Sequence, residues 1–357
     1  MPVPKIHNLF NTMMNASGSD LHMAEGQPPK IRVHGRMMKL DHPDLTYQSI
    51  REYLQEICPP ERWTFFMGNL DLDFAYAMED KARFRANYFN QSKGLAAVFR
   101  TIPAKIKTFE QLNLPQVLKT FGQMRSGLIL VTGPTGSGKS TTLAALVDYI
   151  NETSARHIVT IEEPIEFVHQ NKKCVLCQRE VGIDVNSFAD GLRTACRQDC
   201  DVVLVGEMRD METIALAVTA AAMGTLVFGT LHTNSAVKTI DRIIDVFPAE
   251  QQPQIRSMVA DSLKGVCAQL LLKTADGKGR VATNEILVAN SALSATIREG
   301  NTGNIRNIIQ GGGQQGMQLM DDCINKFLQA GKIAGHEAYM KATEKSRFAA
   351  HAPQASS

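Results

Sequence analysis

Residues 128–146 read LILVTGPTGSGKSTTLAAL, and this stretch dictates more of the fold than any other. An apolar run leads into G-x4-G-K-S and a second apolar run leaves it, so a buried strand, a glycine loop and a helix are predicted in immediate succession. Gly133, Gly136 and Gly138 let backbone N–H groups converge, with Pro134, Thr135 and Ser137 completing a loop shaped for phosphate. Lys139 brings a point charge to the β and γ oxygens, Ser140 offers its hydroxyl to Mg2+, and Thr141 continues the first helical turn. ATP with Mg2+ is the expected ligand. The same loop serves kinases, GTPases, transporters, helicases and mechanical motors, so other residues must say what the nucleotide is used for.

At 357 residues the chain exceeds one ordinary core, and two domains are expected. Lys and Arg total 38 against 36 Asp and Glu, a formal charge of +2, which gives no strong field for nucleic acid or an anionic surface. No apolar stretch approaches the roughly 20 residues of a membrane span, and MPVPKIHNLF lacks the apolar core of a secretory signal. A cytoplasmic chain without membrane insertion is expected. The seven cysteines, odd in number and scattered, favour reduced thiols over a disulfide framework. Cys174 and Cys177 at C-x2-C, followed by Cys196 and Cys200 at C-x3-C, raise a four-thiolate zinc site. KKCVLCQREV, however, reads as a strand that sends its two cysteines to opposite faces, and small buried or half-buried thiols are the plainer reading.

The first hundred residues alternate in short segments. PPKIRVHGRMMKL reads as a hairpin, LTYQSIREYLQEI as a helix, and DLDFAYAM, ARFRANYFNQ and GLAAVFRTI as strands, giving a small α+β domain over 1–103. PAKIKTFEQLNL, charged and closed by Pro115, places a linker at 104–114. Over 115–345 apolar strands at 127–132, 157–161, 202–205 and 226–231 alternate with helices, as a parallel α/β sheet requires. Beyond Asp241 the pattern turns mainly helical, with a hairpin turn at 275–280, and the tail 346–357 reads as disordered.

A phosphate loop needs acidic chemistry from other strand ends, which in an open parallel sheet share one edge. DVVLVGEMRD ends a strand in Gly206 and Glu207, where the common form is Asp followed by Glu, so one carboxylate must come from another strand. HIVTIEEPIEFVH supplies it, closing a strand with Glu162 and Glu163 and adding Glu166 past Pro164. Glu207 and Glu166 are the candidates for aligning the attacking water. LVFGTLHT ends in His232, placed to sense the γ-phosphate. Arg83, Arg85 and Arg100, on strand-like segments of the first domain, are candidates for completing a neighbouring subunit's site in trans.

Taken in order, GPTGSGKST, TIEEPIEF, LVGEMRD and GTLHT resemble the Walker A, Asp box, atypical Walker B and His box of the secretion-type ATPases. SGSDLHM, ARFRANYFNQ, AVFRTIP, QREVG and IDVFPAEQQ narrow the resemblance to the type IV pilus retraction ATPases, over nearly the whole chain. The resemblance implies a PAS-like N-terminal domain joined flexibly to a RecA-like ATPase domain, in a hexameric ring with ATP between the two. It implies a cytoplasmic motor at the inner face of the inner membrane, whose hydrolysis drives a membrane-embedded platform protein so that pilins leave the fibre. By position, Lys139 and Ser140 would hold phosphate and Mg2+, Glu207 is the Walker B glutamate, Glu166 the Asp box carboxylate and His232 the His box histidine. Arg83, Arg85 and Arg100 become the sensors.

The chain departs from that family at three places. It reads AAAMGTLVFGTLHT where the family commonly reads AAETGHLVFGTLHT, so Thr225 stands in for a first His box histidine. ALSATIRE at 292–299 keeps part of AIRNLIRE, with Ser294, Ala295 and Thr296 for Arg, Asn and Leu. CRQDCD replaces LREDPD at 196–201. The first two leave open whether the chain retracts pili itself or assists a second retraction ATPase. A pilus assembly or type II secretion ATPase is the rival within the family, opposed by the short N-terminal region and the lack of a second C-x2-C. A nucleic-acid translocase is the rival from another class, opposed by the balanced charge and the lack of a basic, aromatic-rich strand.

Overall fold

The computed structural model describes residues 3–33, 35–79, 81–102 and 105–352. They fall into two compact units. One gathers the chain up to Lys105 together with Pro164–Val168; the other takes Ile106–Glu163 and the chain from His169 onward.

In the first unit, α1 (Ile6–Asn15) buries Ile6, Leu9, Phe10 and Met13, the spacing of one helical face. Strands β1 (Asp20–Ala24), β2 (Lys30–Val33) and β3 (Arg36–Lys39) follow, then α2 (Tyr47–Ile57), started by a Thr46–Ser49 capping box, and α3 (Pro60–Asn69), with Pro at its first position. β4 (Asp71–Met78), β5 (Ala82–Gln91) and β6 (Gly94–Ile102) complete a six-stranded sheet in the order β3-β2-β1-β6-β5-β4, every pair antiparallel. The predicted hairpin is β2–β3; its turn residue His34 lies outside the described residues. On β5 the period-2 pattern buries Ala82, Phe84, Ala86 and Tyr88, which forces Arg83 and Arg85 onto the opposite face. Phe10 stacks on Phe84 with ring centroids 4.0 Å apart and meets Phe99 edge-on at 5.1 Å. This is the small PAS-like α+β unit.

The second unit begins with α4 (Phe109–Leu112) and α5 (Val117–Gln123), then β7 (Gly127–Thr132), α6 (Lys139–Thr153), β8 (His157–Glu162), β9 (Val175–Glu180), α7 (Phe188–Ala195) and β10 (Val202–Val205). It continues with α8 (Met211–Ala222), β11 (Leu226–Leu231), α9 (Ala236–Asp245), α10 (Gln252–Ser262), β12 (Leu263–Lys273) and β13 (Arg280–Val288). It ends with α11 (Ser291–Glu299), α12 (Ile305–Gly311), α13 (Met320–Gln329) and α14 (Gly335–Lys341). The sheet order is β13-β12-β7-β11-β10-β8-β9, and only β13 runs antiparallel to its neighbour. Every residue of β7, β10 and β11 is buried, as strands covered on both faces must be. One face packs α7 to α12, the other α4 to α6. This is the RecA-like α/β unit.

Three expectations are corrected. The region expected to be the linker at 104–114 contributes Phe109 and Leu114 to the second core, because a Thr108–Gln111 capping box starts α4 there; Ala104 lies outside the described residues. The stretch beyond Asp241 is mainly helical and has its turn near 275–280, but that turn is flanked by two unforeseen strands, β12 and β13, whose hairpin widens the central sheet: Val266, Cys267 and Ala268 are buried in succession, so no alternation marks the strand. The tail read as disordered keeps a 3-10 stretch over Lys345–His351, held by buried Phe348 and an Arg347–Asp322 ion pair; 353–357 lie outside the described residues.

β12 can lie beside β7 only because residue 265 is glycine. A Cβ there would sit 2.3 Å from the Phe121 ring. Gly265→Ala should therefore destabilise the protein by about 1–3 kcal/mol, read as a lower urea midpoint at unchanged slope; an unmoved midpoint would mean that Phe121 yields at no cost.

Candidate functional site

The glycine loop expected to hold phosphate follows β7. Gly133, Gly136 and Gly138 have φ of 146°, 79° and 85°, a region that L side chains rarely enter. Gly133 has a second reason to be glycine: a Cβ there would come within 2.3 Å of the Gln269 carbonyl oxygen. α6 begins at Lys139 and runs 15 residues, so the loop delivers a long helix's N-terminus, with its outward N–H groups and partial positive charge. Pro134, Thr135, Gly136 and Ser140 are exposed, Ser137 is buried, and Thr141 is half-buried. The Lys139 ammonium folds over the loop, donating to the carbonyls of Gly133 at 2.8 Å and Pro134 at 3.2 Å.

The other chemistry arrives by register. β10 pairs Val205 with Gly229 of β11 and Ile161 of β8, so Gly206, Thr230 and Glu162 end side by side on the edge that carries the loop. A Cβ on Gly206 would lie 3.0 Å from the Ile161 carbonyl and 3.3 Å from the Glu162 Cα, tighter than ordinary contact. A side chain at 206 would have to push that backbone aside by a few tenths of an ångström, and the nearest acid on the adjacent strand is Glu162. Its carboxylate accepts from the Thr160 hydroxyl at 2.6 Å and from the Gln178 amide at 3.2 Å. Thr230 pins the turn that follows, its hydroxyl donating to the Gly206 carbonyl while Met208 N–H returns to its own carbonyl.

Glu207 meets His232 across that turn, Oε1 lying 2.9 Å from Nε2. Arg209 binds the same carboxylate through two nitrogens, Nε at 2.6 Å and Nη2 at 2.7 Å, and stands 3.7 Å from Glu163. Burial alone would raise the Glu207 pKa; the Arg209 guanidinium, seconded by His232, outweighs it and holds the carboxyl below its ordinary value. Glu163, Arg209, Glu207 and His232 thus form one chain of polar contacts. Glu166 lies in the segment Pro164–Val168 that belongs with the first unit, and is half-buried there.

Within the first unit, cross-strand pairing sets Arg32, Asp20, Arg100 and Arg85 in one row over β2, β1, β6 and β5. Asp20 is buried and anchors the row. It accepts from Arg100 Nε at 2.9 Å and from the Ser19 hydroxyl at 2.7 Å, with Arg32 at 3.9 Å. Burial opposes its ionisation, and the Ser19 and Arg100 hydrogen bonds reverse that, so its pKa is lowered. Arg85 pairs with Asp73 at 3.6 Å, and Arg83 donates to the Ile165 carbonyl at 3.2 Å.

Two residues beside the glutamates escaped sequence reading. Arg209 had a signal, since it stands two residues after Glu207 in a turn too short to carry it away. Gln178 had none: only the pairing of Thr160 with Gln178 across β8 and β9 brings it to Glu162. Cys174 is buried with its thiol donating to the Ser154 carbonyl at 3.0 Å, Cys177 is exposed, and the Cys200 thiol donates to the Ala195 carbonyl at 3.1 Å. Among the described residues no three His, Cys, Asp or Glu side chains gather as a metal site. Arg209→Gln should raise the Glu207 pKa, because the principal group favouring its anion is gone. A carbon-13 titration of glutamate carboxyls, with Glu207→Gln to assign the signal, checks this; a resonance that titrates at the same pH would deny Arg209 that role.

Residues 70–303 match the family described as type II/IV secretion system protein. The chain is 49% identical over 324 residues to the type IV pilus retraction ATPase PilT of Pseudomonas aeruginosa, covering 91% of this chain and 94% of that protein. It is 49% identical over 314 residues to a twitching motility protein of Neisseria gonorrhoeae, covering 88% and 84%. The crystal structure of the pilus retraction motor PilT with bound ADP superposes with a TM-score of 0.88 at 41% identity, over 96% of this chain and 98% of that one. The glycine loop, the Gly206–Glu207 strand end and the His232 contact at one sheet edge stand within a chain of these likenesses, and the chain belongs to the type II/IV secretion ATPase family, among its PilT-like members.

Proposed function

We propose that this chain is a Mg2+-dependent ATPase that works as a homohexameric ring and drives retraction of type IV pili through a membrane-embedded platform protein. The observation that carries this reading is the Glu207–His232 contact on the sheet edge that also presents Gly133–Thr141, in a chain of this family. The loop N–H groups and Lys139 bind the β- and γ-phosphates of ATP. The loop fits a phosphate, since it turns through three glycines of positive φ and the α6 N-terminus opens onto it. Mg2+, held by the Ser140 hydroxyl, would neutralise charge on the phosphate oxygens. Glu207, kept ionised by Arg209 and His232, aligns the attacking water, with Glu166 as the second aligning carboxylate. Glu162 takes the part of the acid missing at Gly206, and Glu163 acts through Arg209. His232 relays the state of the γ-phosphate to Glu207.

Arg83, Arg85 and Arg100 reach the γ-phosphate of a neighbouring subunit, with Asp20 orienting Arg100. Opening and closing of the ring with each turnover is the mechanical output. The motor works from the cytoplasm at the inner face of the inner membrane; among the described residues no helix is long and apolar enough to cross one. One observation favours a second reading, in which the chain assists another retraction ATPase. Ser294, where the retraction family carries Arg, is half-buried and donates to the Ala260 carbonyl at 2.8 Å, so α11 offers no cation there.

Glu207→Gln and Glu166→Gln should keep ATP binding and lose hydrolysis by about 100-fold or more, whereas Lys139→Ala should lose both. Fluorescent-nucleotide titration beside phosphate release separates these cases, and wild-type turnover by Glu166→Gln would remove that residue from the site. Thr225 precedes β11 at the edge opposite the loop, about 20 Å along the strand from His232. Thr225→His should therefore change turnover by less than about threefold, or ~0.7 kcal/mol of barrier. Pilus imaging after gene deletion, with and without a second retraction ATPase, decides between driving and assisting.

A further inference from the structure

Behind the phosphate loop lies a polar cluster that no charge or motif announces. Gln269 of β12 is 1% exposed, and its side chain is fully engaged. Its amide nitrogen donates to the Ser137 carbonyl at 2.7 Å, while its amide oxygen accepts from the Thr142 hydroxyl at 2.8 Å and the Asn284 amide at 3.0 Å. Ser137, Thr142 and Asn284 are themselves 3%, 3% and 1% exposed. Both hinges of the loop rest on the same residue: a Cβ on Gly133 would meet the Gln269 main-chain oxygen at 2.3 Å, and one on Gly138 its amide nitrogen at 3.0 Å.

The bond to Ser137 has a directional consequence. In a planar trans peptide the C=O of one residue and the N–H of the next point opposite ways. Drawing the Ser137 carbonyl inward to Gln269 therefore turns the Gly138 N–H outward, toward the concave side of the loop. The Thr142 bond fixes the first turn of α6 to the same amide, and Asn284 braces it from β13. Without the amide donor, the buried Ser137 carbonyl loses its partner and the peptide is free to turn.

We propose that Gln269 is a positioning residue for nucleotide binding, one that sets the Ser137–Gly138 peptide so that its N–H faces phosphate, with Asn284 linking this setting to the β12–β13 hairpin. The inference rests on the reading that Gly133–Thr141 holds phosphate. Its test uses the full chain with fluorescent ADP and with ATP turnover. Gln269→Met conserves volume and removes the amide. It should weaken ADP binding and raise the KM for ATP by about tenfold, with kcat within about threefold, since Glu207 and Glu166, the groups proposed to align water, are untouched. Asn284→Ala leaves the Gln269 donor in place and should move KM the same way by about threefold; it carries the test by the same criterion if the Met variant does not fold. Lys139→Ala serves as the reference. If Lys139→Ala loses ADP while the Gln269 and Asn284 variants keep wild-type affinity, or if those variants lose kcat at unchanged KM, the positioning role is overturned. If Lys139→Ala itself binds ADP normally, the phosphate reading fails first.

Discussion

The site depends on one constraint, the in-register parallel pairing of β7, β11, β10 and β8. These strands are apolar on both faces, so helices must cover them on both sides, and every chain reversal occurs at the two open edges. A slip of one residue would turn each strand's side chains to the other face. Holding register thus brings the loop after Thr132, Glu162, Glu207 and His232 to a single edge without any dedicated framework. Glycine at 133 is the cost of that convergence, since neighbouring backbone approaches it too closely for a side chain, and at 206 the approach is tight.

Both units solve the same electrostatic problem in the same way. Asp20 and Glu207 are acids in places where burial opposes ionisation; Asp20 is kept charged by the Ser19 hydroxyl and Arg100, Glu207 chiefly by Arg209. The geometries differ. Asp20 lies beneath a cross-strand row and is nearly closed off, whereas Glu207 is gripped through two nitrogens by Arg209 on the same turn. A carboxylate so gripped holds its charge below its ordinary pKa, and its orientation is fixed by a residue two positions away.

What could be read in the sequence was whatever short-range pattern controls. The G-x4-G-K-S loop, the strand runs and the acids that end them are all local, and crossovers that set β7 beside β11 rather than β8 bring them together. β12 and β13 were legible only as a turn, because Val266 to Ala268 are buried in succession and carry no alternation. The 104–114 segment is charged in sequence, yet Phe109 and Leu114 decide its fate once a core is there to receive them. Gln178 and Gln269 act through register and through a neighbouring strand, and neither reaches its partner by sequence proximity. Arg209 was near enough to be found, but an arginine on a turn reads as solvated until its carboxylate is in place.

The placement of Thr225 bears on how such chains diverge. It stands where β11 begins, its N–H closing the end of α8 and its carbonyl receiving Gly127, while Met223 beside it is 82% exposed. That loop carries no load from the opposite edge, because the six fully buried residues of β11 separate the two. A side chain exchanged at that rim can therefore change what the protein meets outside without moving Glu207 or His232, which stand a full strand length away.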